Sequence, residues 1–224
     1  TAGVIFSFLT FFVAVPTGIK VFNWIATMYR GSISFESPML YALTFIFLFI
    51  VGGLTGPFLG ALGTNVQLHD TYFVVAHFHY TMMGGTVMGF FAGLHYWFPK
   101  MSGRMLSERL ARIAWFFMFI GFNVTFFTMF ILGMKGMPRR WAEYPPQFQE
   151  LHIIATVGSW VLAIGVLIMF WNFAHALFRG EPAPANPWRA LTLEWQTASP
   201  PITENFEEIP EITDWPYNYG KRET

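Results

Sequence analysis

Five runs of about 20 apolar residues, close to 1–28, 38–61, 72–98, 109–134 and 151–177, constrain this chain more than any other feature. At a rise of about 1.5 Å per residue, such a run crosses the ~30 Å hydrocarbon layer of a bilayer, where only helices and closed barrels satisfy the backbone. The expected fold class is an all-α integral membrane protein with five transmembrane helices. Composition agrees: at 54% hydrophobic and 12% charged, with 27 Phe and 9 Trp in 224 residues, the chain is too apolar for an ordinary soluble domain. Its formal net charge of zero gives no general attraction to nucleic acid. The absence of Cys excludes disulfides, thiolate metal sites and cysteine nucleophiles, so any metal must use His, carboxylate or carbonyl oxygen.

After about residue 178 the character changes. The remainder holds half of the 14 prolines and, from Glu181 onward, eight acidic against three basic residues. That composition reads as an extended solvent-side tail rather than a sixth span. The chain thus divides into a bundle segment, 1–178, and a Pro-rich acidic tail, 179–224. Alternate loops place Arg30, Lys100, Arg104, Arg109, Arg112 and Arg179 on one side and Lys135, Arg139 and Arg140 on the other. Six against three makes the first side, with the tail, cytoplasmic. The opening Thr1-Ala2-Gly3 lies directly in an apolar run without Met or a positive leader region, so a start inside something longer is expected.

One stretch carries chemistry: His69-Asp70-Thr71-Tyr72-Phe73-Val74-Val75-Ala76-His77-Phe78-His79-Tyr80, with three of the six histidines. A helix turns about 100° per residue, so His77 and His79 point about 200° apart, onto opposite faces, and cannot share one metal. Each imidazole can hold its own large cofactor instead, and haem iron is the group most often held by one axial imidazole. Hydrogen bonding between helices is the commoner role for either histidine alone, although ionisable groups inside a membrane are functional candidates by default. The dodecamer resembles the haem-ligand helix of subunit I of the haem-copper oxidases. That resemblance implies that His77 is the proximal ligand of the high-spin haem where oxygen is reduced. It implies that His79 is an axial ligand of the low-spin haem that feeds it electrons.

Arg139 and Arg140 lie on the side where positive charge is disfavoured, which asks for a local anion. Haem propionates are suitable, because guanidinium groups bind carboxylates in a bidentate fork, and His77 and His79 sit within about 12 Å of Thr71 along the helix. Lipid headgroups are the other reading. Gly136-Met137-Pro138-Arg139-Arg140 resembles a loop of the same family, which implies that both arginines hold the propionates. His69 and Asp70 read as loop and N-cap. The resemblance adds a magnesium or manganese site there, completed by a carboxylate from a partner subunit.

In the first span, Lys20 is costly at mid-membrane unless paired or hydrated, and Thr17 shares its face at i−3 beside Pro16. Such a patch can hold water; snorkelling of the lysine toward the interface is the alternative. Pro16-Thr17-Gly18-Ile19-Lys20-Val21-Phe22 resembles the family's lysine-containing proton channel, which implies that Thr17 and Lys20 carry protons to the oxygen site. It also points to the oxygen-reducing branch. Gly52-Gly53-Leu54-Thr55-Gly56 offers small residues for close approach of a helix or a macrocycle. Asn123-Val124-Thr125-Phe126-Phe127 departs from the family in continuing with Thr128-Met129 instead of Pro-His. His95 reads as part of an aromatic interface belt, and His152 and His175 as packing or interface residues.

The resemblance covers essentially the whole chain but only the C-terminal part of the family's subunit, so a larger bundle of the twelve-helix type is implied. The three copper histidines, the tyrosine linked to one of them and the second low-spin haem ligand would lie on earlier helices. The resemblance implies a share in a cytochrome c oxidase-type oxidoreductase and proton translocase. It would have two haems, expected to be of the a type, and a copper completed outside this chain. The implied partners are the N-terminal part of subunit I, subunits II and III and cytochrome c, in a bacterial inner membrane. Quinol remains open as the donor. Two rivals stand beside this reading: a bis-histidine electron-transfer cytochrome without oxygen chemistry, and a transporter using Lys20 and no haem.

Overall fold

The computed structural model describes residues 2–211, and among these the regular structure is helical, with two isolated β-bridges. Helices α1 (Ala2–Met28), α2 (Ser37–Gly60), α6 (Glu108–Met134) and α7 (Gln149–Arg179, led in by a 3-10 turn, Pro146–Phe148) are each long and apolar enough to cross a membrane. The fifth predicted span is helical throughout but is not one α-helix. It runs as α4 (Tyr72–Thr81), a π-helical turn (Met82–Val87) and α5 (Met88–Ser102). The turn's glycines lie against α2: a Cβ on Gly84 would come within 2.7 Å of Leu48 Cβ. Widened turns of this kind concentrate near functional sites. A short helix, α3 (Leu62–Leu68), fills what the sequence presents as loop.

The core lies between α2, α4, α6 and α7, around Tyr41, Leu48, Phe73, Tyr80, Phe122 and Met169. Helices α6 and α7 approach until backbone meets backbone, since a Cβ on Gly121 would lie 2.3 Å from Leu162 N and one on Gly165 would lie 2.7 Å from Met118 N. Small residues at such a seam recover packing that lipid cannot supply. By contrast α1 buries no residue. It leans on α2 through Trp24, whose ring centroid is 4.8 Å from that of Phe45, and through Ser7 Oγ, which donates to Gly60 O at 2.7 Å.

Helix ends are capped across the bundle. The Glu108 carboxylate of α6 accepts from Ser37 N (2.6 Å) and Ser37 Oγ (2.8 Å), capping α2 in place of a local side chain. Asn172 of α7 brackets Ser107, donating to its carbonyl at 3.0 Å and accepting from its amide at 3.1 Å. At one end of the bundle Thr71 bridges Pro138, and at the other Arg104 bridges Pro182.

Three expectations change here. The tail has little regular structure beyond one 3-10 turn, Leu193–Trp195, yet it packs on the bundle, with Trp195 2% exposed. Its last part, 212–224, lies outside the described residues, as does Thr1. His95 belongs to the core rather than to an interface belt. It is 1% exposed, stacks on Tyr41 of α2 at 4.7 Å and meets Phe173 of α7 edge-on. Its Nδ1 bonds Phe91 O of its own helix at 2.7 Å, while its buried Nε2 has no hydrogen-bond partner among the described residues. Lys100, counted as a solvent-side charge, is buried beneath the tail.

Candidate functional site

Helix α4 begins where Thr71, not Asp70, acts as N-cap: Thr71 Oγ1 accepts from Phe73 N at 3.2 Å. Asp70 adopts a left-handed φ of 55°, which turns its carboxylate away from the helix start and toward the loop after α6. The expected cap thus moves by one residue, because Asp70 has a stronger partner elsewhere.

From that start, α4 carries His77 and His79 to opposite neighbours, as the 100° step requires. His77 faces α2. Its Nδ1 lies 3.0 Å from Gly52 O and 3.1 Å from Thr55 Oγ1, and Thr55 Oγ1 also donates to Gly52 O at 2.8 Å. A carbonyl can only accept, so Nδ1 carries the ring proton and Nε2 is left with its lone pair. A Cβ on Gly56 would stand 3.3 Å from His77 Cε1, so the small residues of α2 leave room beside the ring. His79 faces α6, stacked on Phe126 with centroids 4.1 Å apart. Its Nδ1 donates to Val75 O at 2.8 Å, which again leaves Nε2 as the ligating nitrogen. The side-chain hydrogen bonds of both residues run through Nδ1, with none to Nε2 among the described residues, and both rings are half-buried. No group of three or more metal-binding side chains occurs among the described residues. Two separated, single imidazole donors with fixed tautomers suit axial ligation of two macrocycles and do not suit a chelated ion.

Sequence reasoning singled out the glycines of α2 but not the role of Gly52 O and Thr55 in fixing the His77 tautomer. The available signal was one hydroxyl among small residues. A second missed contact is Tyr80 OH, which donates to Asn123 Oδ1 at 2.9 Å and joins α4 to α6 one residue past His79.

At the same end of the bundle, Arg139 and Asp70 are tied twice. Arg139 Nε donates to Asp70 Oδ1 at 2.7 Å, and Arg139 N donates to Asp70 O at 2.9 Å. Arg139 Nη2 is 2.5 Å from the same carboxylate oxygen, and His69 Nε2 is 3.2 Å from Oδ2. The Arg139 hydrogen bond chiefly holds the Asp70 carboxyl below the usual carboxylate range, against an opposing effect of desolvation, with the charges of His69, Arg139 and Arg140 adding to the lowering. Asp70 is therefore ionised at neutral pH. Tyr72 N to Met137 O (3.0 Å) completes the zip between the two loops. Arg140 is exposed, with a left-handed φ of 67° and no hydrogen bond among the described residues. His69, Asp70, Arg139 and Arg140 are thus brought together as expected, but Arg139 spends its fork on Asp70 while Arg140 stays open.

Thr17 and Lys20 lie on α1. Thr17 Oγ1 donates to Val13 O of its own helix at 3.0 Å, and Lys20 is exposed on the flank that α2 leaves uncovered. No hydrogen bond joins the two among the described residues. His152 sits between Tyr144 and Tyr72, at 4.1 and 5.2 Å between ring centroids. His175 lies beside Trp171 at 6.5 Å.

A family model described as cytochrome c and quinol oxidase polypeptide I matches residues 1–161. Cytochrome c oxidase subunit 1 of a Synechocystis species is 50% identical over 211 residues, covering 94% of this chain and 38% of that protein. The Thermostichus vulcanus subunit 1 is 48% identical over 215 residues, covering 96% and 39%. A cryo-EM structure of a haem-copper terminal oxidase dimer superposes with a TM-score of 0.72 over 80% of this chain and 37% of that one, at 24% identity, and so shares its fold. The chain spans less than two-fifths of the length of these relatives. With a matched stretch that holds the whole His69–Tyr80 motif and the Arg139-Arg140 loop, the chain belongs to the cytochrome c and quinol oxidase polypeptide I family.

Proposed function

We propose that this chain is the C-terminal portion of the catalytic subunit of a terminal respiratory oxidase, in which electrons pass from a low-spin haem to a high-spin haem–copper centre and oxygen is reduced to water with proton translocation. The observation that carries the reading is the arrangement on α4. His77 and His79 point to opposite neighbours, each with Nδ1–H on a backbone carbonyl and Nε2 free of protein partners. Haem bound at these nitrogens would supply one-electron exchange and, with copper held outside this chain, oxygen chemistry. Everything else falls to the chain's own groups. Gly52 O and Thr55 fix the His77 tautomer and raise the basicity of Nε2. Phe126 holds the plane of the His79 ring.

Arg140 is the open cation for propionates, and Arg139 acts on them through the Asp70 pair that fixes the loop. His69 and Asp70 supply two donors toward a magnesium or manganese ion that a partner carboxylate would complete. Lys20 and Thr17 take the role of proton carriers on a face that earlier helices of the subunit would cover, forming a hydrated path. The reading further includes subunits II and III and cytochrome c as partners, a bacterial inner membrane, and a cytoplasmic tail. The count of Lys and Arg on the two sides supports that orientation.

Reduced-minus-oxidised and reduced-plus-carbon-monoxide spectra of the purified membrane complex test the proposal. Two haems are expected, one of which binds carbon monoxide. A single haem, or two that both ignore carbon monoxide, would favour the electron-transfer cytochrome instead. Thr55→Val makes a finer check. It keeps the shape but removes one of the two groups at His77 Nδ1, so Nε2 becomes less basic and the reduction potential of the carbon monoxide-binding haem rises with ligand binding retained. A potentiometric titration in which that potential falls or stays put counts against the assigned tautomer.

A further inference from the structure

Lys100 is the one lysine, arginine or carboxylate that is buried among the described residues, at 7% exposed. A buried ammonium is costly unless all of its donors are met. Here each of the three N–H groups has a backbone acceptor: Ala185 O at 3.1 Å, Thr197 O at 2.7 Å and Ala198 O at 3.1 Å. The Trp195 ring lies beside it with its centroid 4.9 Å from Nζ. No carboxylate comes within ion-pair distance among the described residues. This is a cage of three carbonyls and one aromatic face built around a single cation, and all four groups come from the tail.

We infer that Lys100 is the pin that binds the distal part of the tail, 185–198, to the end of α5. The proximal part is held without it. Met105 N donates to Glu181 O at 2.8 Å, Ala183 N donates to Gly103 O at 2.9 Å, and Arg104 Nη1 donates to Gly180 O at 2.9 Å. Ala185 enters the distal loop and Thr197 and Ala198 leave it, so one ammonium closes the loop at both ends. Within the closed loop Trp188 Nε1 donates to Tyr96 O at 2.8 Å, and Trp188 forms one wall of a cavity of about 580 Å³ shared with Thr27 and Met28 of α1 and with Ala92 and Gly93 of α5. Holding the distal tail therefore also walls that cavity. The inference is independent of the haem assignment, since it uses no group near His77 or His79.

Hydrogen–deuterium exchange on the assembled membrane complex, with intact haem absorbance as the check on assembly, tests it with Lys100→Met. The Ala190, Trp195 and Gln196 amides, bonded to Asn186 Oδ1, Thr192 O and Leu193 O in the distal loop, are expected to exchange about tenfold faster, while Met105 and Ala183 keep their wild-type rates. Lys100→Gln, which loses the charge and keeps two donors, is expected to fall between wild type and the Met variant. Wild-type exchange in the distal loop of either variant overturns the pin, because the Trp188 bond to Tyr96 O and the packing of Trp188 and Trp195 on Tyr96 would then hold the loop. Equal acceleration of proximal and distal amides overturns it too, because the tail would then release as one unit.

Discussion

His77→Ala is expected to abolish carbon monoxide binding by the assembled complex and to leave the low-spin haem band in place. The substitution removes the only nitrogen that α4 presents toward α2 and leaves His79 on the opposite face, still bonded to Val75 O at 2.8 Å and stacked on Phe126. Assembly should survive, because nothing buried is orphaned. Thr55 Oγ1 still donates to Gly52 O at 2.8 Å once the imidazole has gone, and the ring was only half-buried. Substituting a group that merely orients a metal ligand typically lowers affinity or activity by about 10- to 100-fold, so removing the ligand itself should lower oxygen reduction by more than about 100-fold. Exogenous imidazole, entering the space the ring leaves, should restore part of the signal. His79→Ala is the complementary variant and should erase the low-spin band first. A carbon monoxide spectrum unchanged in His77→Ala would remove the central assignment, and so would loss of the low-spin band alone in His77→Ala with carbon monoxide binding retained, which would exchange the roles of the two histidines.

The sequence made the spans and the His77/His79 geometry legible because both depend on local periodicities: about 20 apolar residues per crossing and about 100° per residue. What it hid was decided by contacts far along the chain. Asp70 and Thr71 are both good caps by composition. The choice between them rests on Arg139, 69 residues away, which draws the Asp70 carboxylate out of the capping position. Lys100 counts as one more charge in a basic loop until its three acceptors, 85 to 98 residues later, close around it. His95 resembles an interface histidine because its neighbours are Tyr96 and Trp97, yet Tyr41 and Phe173 from two other helices enclose it. The π-helical turn leaves no local trace either, since Met82–Val87 is as apolar as the residues around it, and the close approach of α2 is what its two glycines answer.

Gly133→Ala is expected to disrupt assembly, although by helix propensity alone the substitution should stabilise α6 by about 1 kcal/mol. Gly133 sits in the last turn of α6 against the first turn of α4, where an added Cβ would stand 2.0 Å from Phe73 N, 2.5 Å from Phe73 Cβ and 2.6 Å from Phe73 Cα. Two of these are backbone atoms and cannot rotate away, so the start of α4 must move. Overpacking a tight core costs about 1–3 kcal/mol where side chains can adjust, and a backbone obstacle places this variant at or above the top of that range. The sign is set by sterics. The consequence reaches the site, because Phe73 follows the Thr71 cap and lies one turn before His77, so a displaced helix start turns both imidazoles away from Gly52 O and Phe126. Gly136→Ala separates the two possible causes. There the φ is +84°, which strains any side chain by about 1–2 kcal/mol, but no heavy atom lies within 4 Å of the added Cβ. The expected order in haem content and thermal stability is therefore wild type, then Gly136→Ala, then Gly133→Ala well below both. Should the two variants fall equally, backbone strain in the loop, and not the contact between α6 and α4, would be what holds the histidine helix in place.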